Sequence, residues 1–147
     1  MKLSTRSRYG LRAMLVLALH EGEEPVMTKE IAEKQSLPCS YLEQLMLTLR
    51  KAGLVHATRG AKGGYVLSRD PRQITLAEIV ESLEGPLDIA DCVDVPSCCF
   101  DPQSCALKDL FDEANEALRG VFANTTLAEL ADNQRSKESQ MVGMYYI

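Results

Sequence analysis

The 147-residue chain has no tryptophan, only two histidines and no surplus of positive charge. No apolar run reaches the roughly 18 residues that a membrane span needs. The most apolar early stretch, Leu11 to Leu19, is interrupted by Arg12 and followed by acidic residues without a small-residue cleavage site. A secretory signal is therefore not expected, and the cytoplasm is the expected location. No paired carboxylates, nucleophile–base constellation or phosphate loop can be traced, and Gly60 to Gly64 lacks the P-loop spacing, so no enzymatic activity is expected. His20 and His56 read as structural or surface histidines. Apolar residues still make up 46% of the chain, enough to bury the core of one domain with an appended element.

The missing positive charge is a matter of distribution. The net charge is −5 and the pI about 5.1. Residues 1–70 hold 11 Lys+Arg against 7 Asp+Glu, a net +4, and residues 71–147 hold 5 against 14, a net −9. The acidic average does not argue against a nucleic acid partner for the first half.

Cysteine is equally uneven. Cys92, Cys98, Cys99 and Cys105 fall within 14 residues, and Cys39 stands alone upstream. The chain is too long and too apolar for a disulfide-framed mini-protein, so metal or redox chemistry is the better reading. The segment around them is polar and holds Pro96, Pro102 and several aspartates, which does not suit core packing.

Periodicity organises the rest. Leu11, Met14, Leu15, Ala18 and Leu19 mark an amphipathic helix over 9–20. Thr28 suits the cap of a short helix to about Gln35, and Ser36-Leu37-Pro38 makes a turn. Ser40-Tyr41-Leu42-Glu43 reads as a capping box opening a helix whose inner face is Leu42, Leu45, Met46 and Leu49, stopped by Gly53. Two β-prone runs, 54–58 and 65–68, flank a glycine-rich turn and read as a hairpin. Helix, helix–turn–helix and hairpin in that order spell a winged helix. Thr75-Leu76-Ala77-Glu78 is a second capping box, for a helix ended by Gly85-Pro86. The stripe Leu107, Leu110, Phe111, Ala114, Leu118, Val121 and Phe122 marks a long helix and a candidate dimer seam. Thr126-Leu127-Ala128-Glu129 starts a short closing helix, and a polar tail, expected to be mobile, follows from Asn133. The fold class is thus mainly α: a winged helix-turn-helix with a β-hairpin wing and a long C-terminal dimerisation helix. Its divisions are 1–86 (winged helix), 87–105 (cysteine loop), 106–132 (dimerisation and closing helices) and 133–147 (tail).

In a helix–turn–helix the second helix enters the major groove. Ser40, Tyr41, Glu43 and Gln44 occupy its first turns. Gln pairs bidentately with adenine, Glu accepts from the cytosine amino group and repels phosphate, and Ser and Tyr more often hold phosphates. For Glu43, base reading competes with the capping box. The hairpin tip carries Arg59, Gly60 and Lys62; the glycines allow close approach, and an arginine there suits a narrow minor groove. Thr28, Lys29, Arg50, Lys51, Arg6, Arg8 and Arg12 lie in the same basic half as candidate phosphate contacts.

These motifs together resemble the IscR-type winged-helix regulators. Met1-Lys2-Leu3-Ser4, Arg8-Tyr9-Gly10 and Ala13-Met14 are similar to that family's first helix. Ser40-Tyr41-Leu42-Glu43-Gln44-Leu45 and Leu49-Arg50-Lys51-Ala52-Gly53-Leu54-Val55 are similar to its recognition helix, Arg59-Gly60 and Gly63-Gly64-Tyr65 to its wing, and Thr125 to Leu130 to its closing segment. The resemblance spans about residues 1–132. It implies a homodimer that binds a double-stranded DNA operator, with an iron–sulfur cluster, [2Fe-2S] or [4Fe-4S], on three cysteines and one other ligand.

Two triads are open. Cys92, Cys99 and Cys105 keep the family's five-residue gap before the last cysteine and are favoured, because that gap abuts a rigid helix; Cys98 is the alternative to Cys99. The fourth ligand departs from the family. Its histidine position is Lys108 here, and an ammonium has no lone pair to give to iron. The acidic N-terminal ligand of other members is matched by Arg8. Cys98, Cys39, His20, a carboxylate or an exogenous thiol are the candidates. The rival readings are structural zinc on the clustered cysteines and a cluster-free thiol switch.

Overall fold

The structure is a computed structural model that describes residues 3–90 and 103–145. Its helices are α1 (Thr5–Leu19), α2 (Thr28–Gln35), α3 (Cys39–Lys51), α4 (Leu76–Glu84), α5 (Ala106–Asn124) and α6 (Leu127–Tyr145). Between α3 and α4 lie β1 (Val55–Thr58), β2 (Gly64–Leu67) and a single 3-10 turn, Pro71–Gln73. The fold is a winged helix, mainly α. Among the described residues no helix is long and apolar enough to cross a membrane.

The inner faces set by helical spacing meet in one core. Met14, Leu17, Ile31, Leu42, Leu45, Met46, Leu49, Val55, Ile74 and Ile79 are all buried there. Each such side chain contributes about 1.5–3 kcal/mol by leaving water. Where α1 crosses α4, Gly10 removes the obstacle, since a Cβ there would sit 2.2 Å from Leu83 Cδ1.

Two tight helix ends set the placement of α3. After α2, Ser36 adopts the left-handed conformation (φ 53°), the Ser36 N–H donates to Glu33 O (3.2 Å), and the Leu37 N–H donates to Ala32 O (2.9 Å). A left-handed residue with a Cβ costs about 1–2 kcal/mol, so the turn is held by its surroundings. After α3, Gly53 (φ 75°) takes the same role: the Gly53 N–H donates to Arg50 O and the Leu54 N–H to Leu49 O, both at 3.0 Å.

The strands pair antiparallel with Val55 opposite Leu67 and Thr58 opposite Gly64. A third extended residue joins them. The Val26 N–H donates to Tyr65 O (3.0 Å) and the Tyr65 N–H to Val26 O (2.9 Å). This brings Val26 so near that a Cβ on Gly64 would lie 2.4 Å from Val26 O.

The capping boxes of Thr75 with Glu78 and of Thr126 with Glu129 both form. They are laced to each other: the Leu76 N–H donates to Thr125 O (3.0 Å) and the Leu127 N–H to Ile74 O (2.8 Å). Leu127 and Ala131 complete the winged-helix core. The expected short closing helix is instead the start of a 19-residue helix, and the segment read as a tail from Asn133 continues α6 to Tyr145. Polar pairs along its outer face support that length, with Gln134 Nε2 donating to Glu138 Oε1 (2.8 Å) and Arg135 to Asp132 (3.0 Å).

Candidate nucleic-acid interface and cysteine segment

The capping box expected at Ser40 and Glu43 does not form. Pro38 is the N-cap, Cys39 opens α3, and no side chain caps its first turn. Proline's fixed φ presets the helix start, and Pro38 O accepts the Leu42 N–H (3.2 Å). Ser40 therefore already has helical geometry. Thr28 is likewise not a cap but the first residue of α2, behind Met27. The competition between capping and base reading at Glu43 is thereby removed.

With Leu42, Leu45, Met46 and Leu49 turned fully inward, Ser40, Glu43, Gln44, Leu47 and Arg50 lie exposed along the outer side of α3. The side chains of Ser40, Glu43 and Gln44 make no hydrogen bond within the described residues. Tyr41 is different: it is half-buried and meets Tyr9 edge-on, with ring centroids 6.3 Å apart at 86°. Thr48 anchors the flank of the helix. Its hydroxyl donates to Gln44 O and accepts from Arg6 Nη2, both at 3.1 Å, so an arginine from α1 lies alongside α3. Nothing in the local pattern around Thr48 announces that long-range contact.

At the wing, Arg59 is exposed and Gly60 takes φ 114°, which a side chain would strain. The Gly63 N–H donates to Gly60 O (2.9 Å) and closes the tip. Lys62 reaches back to Glu24 (2.8 Å). The acidic turn before α2 thus holds one of the two tip cations.

Electrostatics also fix α1. The Ser4 N–H donates to Glu84 Oε1 (2.7 Å). Burial pushes the Glu84 carboxyl up, but hydrogen bonding at the start of α1, with Ser4 as its donor, holds the group below its ordinary value.

Of the cysteines, Cys105 is the N-cap of α5, partly exposed, with no side-chain cap bond. Cys39 is exposed at the start of α3. Cys92, Cys98 and Cys99 lie outside the described residues. Lys108, one turn into α5, pairs with Asp112 (2.5 Å), and its N–H donates to Cys105 O (3.0 Å). His20 has both ring nitrogens engaged, Nδ1 donating to Val16 O (2.8 Å) and Nε2 accepting from Lys34 Nζ (3.2 Å). It is a structural residue. His56 is exposed on β1.

The long helix α5 buries one residue, Asn115, while Leu107, Leu110 and Val121 are 59%, 56% and 65% exposed. Three positions of its apolar stripe are therefore uncovered in the single chain, while Phe111, Ala114, Leu118 and Phe122 are half-buried.

A helix–turn–helix with a polar outer row on its second helix, beside a hairpin with a basic tip, defines a winged-helix, DNA-binding transcriptional regulator. The chain belongs to the Rrf2 family, described as iron-dependent transcriptional regulators, whose model matches residues 3–133. It is 40% identical over 147 residues to the HTH-type transcriptional regulator CymR of Bacillus subtilis (strain 168), covering all of both chains. It is 38% identical over 134 residues to the HTH-type transcriptional regulator IscR of Serratia proteamaculans (strain 568), covering 91% of this chain and 81% of that one. Among solved structures it is similar to CymR (YrzC), the global cysteine regulator of B. subtilis, with TM-score 0.81 and 40% identity over 90% of this chain and 98% of that one. It is also similar to T. potens IscR, with TM-score 0.76 and 41% identity over 91% and 88%.

Proposed function

We propose that the chain is a homodimeric regulator in the cytoplasm whose binding to a double-stranded operator is set by an iron–sulfur cluster on Cys92, Cys99 and Cys105. Ser40, Glu43 and Gln44 read bases in the major groove, with Tyr41 at its edge. Arg59, Gly60 and Lys62 meet the minor groove, and Thr28 and Arg50 hold phosphates. The observation that carries the DNA reading is the uncapped start of α3, which leaves Ser40, Glu43 and Gln44 outward with no side-chain partner among the described residues. The exposed stripe of Leu107, Leu110 and Val121 supports a dimer through α5.

For the cluster, the donor set fits three positions. Thiolates are the usual ligands, and Cys105 stands at a helix N-terminus, where negative charge is favoured. Lys108 does not supply the fourth, being an ammonium held by Asp112. Cys98, Cys39, a carboxylate or an exogenous thiol takes that place. A cluster there supplies a redox- and iron-responsive group beside the helix that joins the subunits. A useful response needs about 1–3 kcal/mol of coupling to DNA affinity.

The test is anaerobic purification with Mössbauer spectroscopy and native mass analysis, repeated for Cys92→Ala, Cys99→Ala and Cys105→Ala. A brown protein whose iron is lost in each variant supports the reading. A colourless protein with one zinc per chain, or cluster content that survives all three changes, defeats it. The second reading, a thiol switch without a cluster, is favoured by Lys108 at the family's ligand position. It requires a colourless, metal-free protein whose DNA binding responds to a mild thiol oxidant. Glu43→Ala checks base reading separately: discrimination among operator variants falls by about 1–3 kcal/mol at one position, with the salt slope unchanged.

A further inference from the structure

Helix α5 is anchored by polar contacts. Its one buried residue, Asn115, is 2% exposed and lies beside an exposed leucine stripe. Asn115 Oδ1 accepts the Ile89 N–H (2.7 Å), and its Nδ2 donates to Asp88 Oδ1 (3.4 Å). One turn on, Arg119 binds the same Asp88 carboxylate and donates from Nε to Leu87 O (3.2 Å). Asp88 is mostly buried, with 17% of its side chain exposed. The segment 87–89 follows directly on α4 of the winged helix, and Leu87 itself is buried.

We infer that Asp88, Asn115 and Arg119 form the joint that sets the angle of the winged helix on α5, and hence the half-site spacing the dimer accepts. This rests on the reading above, that the chain binds paired half-sites as a dimer. Three features assign the role. The contacts are directional hydrogen bonds, which fix an angle in a way that apolar packing does not. They lie on the side of α5 next to the uncovered stripe, so they hold the head without occupying the seam. They also sit ten residues, about 15 Å of helix, from Cys105, so residues 89 and 105 bracket the cysteine segment with both ends fixed to α5. Asn115 and Arg119 are thus positioning residues, acting on DNA through the placement of α3.

A random duplex pool enriched by the wild-type full-length protein supplies the probe, and the spacer of the best site is then changed by one base pair. One pair rotates and shifts a half-site by about a tenth of a helical turn. Wild type should lose at least about tenfold in affinity. In Arg119→Gln and in the isosteric Asp88→Asn the loss should shrink to threefold or less, with dimer mass, circular dichroism and non-specific DNA affinity unchanged, and Arg119→Lys should partly restore the preference. If both variants keep the wild-type spacing preference, the joint does not set the angle. If both lose non-specific binding as well, the contacts only support folding, and the inference fails in that case too. A wild-type protein that enriches no paired site defeats the reading of paired half-sites by a dimer, and the joint with it.

Discussion

Helices α3 and α5 share one sequence rhythm, apolar residues at intervals of three and four, and use it in opposite senses. In α3 the apolar side is wholly buried, and Ser40, Glu43 and Gln44 stand outward with no side-chain hydrogen bond among the described residues. In α5 the one buried residue is an asparagine, and three of the apolar positions face water. The same pattern therefore marks an inner face in one helix and an unfilled outer face in the other. Stability of the single chain should depend on the first stripe and assembly on the second.

Leu49→Ala tests the first half of that contrast and carries the largest effect. A fully buried leucine truncated in a packed core costs about 2–5 kcal/mol, so the denaturant midpoint should fall steeply. A loss under 1 kcal/mol would mean that α3 is not held by its apolar face. Leu110→Glu tests the second half. Light scattering should show loss of the dimer, while the far-ultraviolet spectrum keeps its helical signature. A variant that stays dimeric would place the seam elsewhere.

A smaller effect belongs to a capped helix start, which α3 lacks. The Thr126 backbone N–H and hydroxyl hold the Glu129 carboxyl below its ordinary value. A lowered folded-state value stabilises the fold above the ordinary glutamate value of about 4.3, and that stabilisation fades as pH falls through the folded value. Glu129→Gln should therefore flatten the acid limb of the stability curve; an unchanged limb would mean that the Thr126–Glu129 box does not hold the start of α6. The smallest effect is at the wing. Lys62 and Glu24 are 79% and 71% exposed, and removing such a pair changes stability by less than about 1 kcal/mol. Lys62→Ala should still reduce the salt slope of DNA binding by about one.

Much of the head was legible because its signals are local. The inner faces, the stop at Gly53, the hairpin and two of the three Ser/Thr-x-x-Glu boxes follow from spacing and turn chemistry. The third box failed for a local reason as well: Pro38 starts the helix two residues early and leaves Ser40 inside it. The pairing of Val26 with Tyr65 involves one residue per side and leaves no periodic trace. Asn115 was missed because a search for apolar stripes does not register a polar side chain buried by hydrogen bonds. The length of α6 was missed because it buries no residue beyond Ala131, so the rest of the helix leaves no apolar stripe to read. In the candidate site, position alone predicted that Ser40, Glu43 and Gln44 stand on the outer side of α3, where they are exposed. The tie of Arg6 to Thr48, across 42 residues, depends on how α1 crosses α3.

The lacing of residues 74–76 to 125–127 also bears on how such a molecule diversifies. The chain runs out from this lacing through α4, the cysteine segment and α5 and comes back to it at Thr125, so the stretch from Leu76 to Thr125 begins and ends at one place. Protein architectures accept exchanges of material most readily between closely spaced exits of this kind. Descendants are therefore at liberty to rewrite the cysteine spacing, or dispense with cysteines altogether, while the half of the molecule that meets DNA keeps its shape.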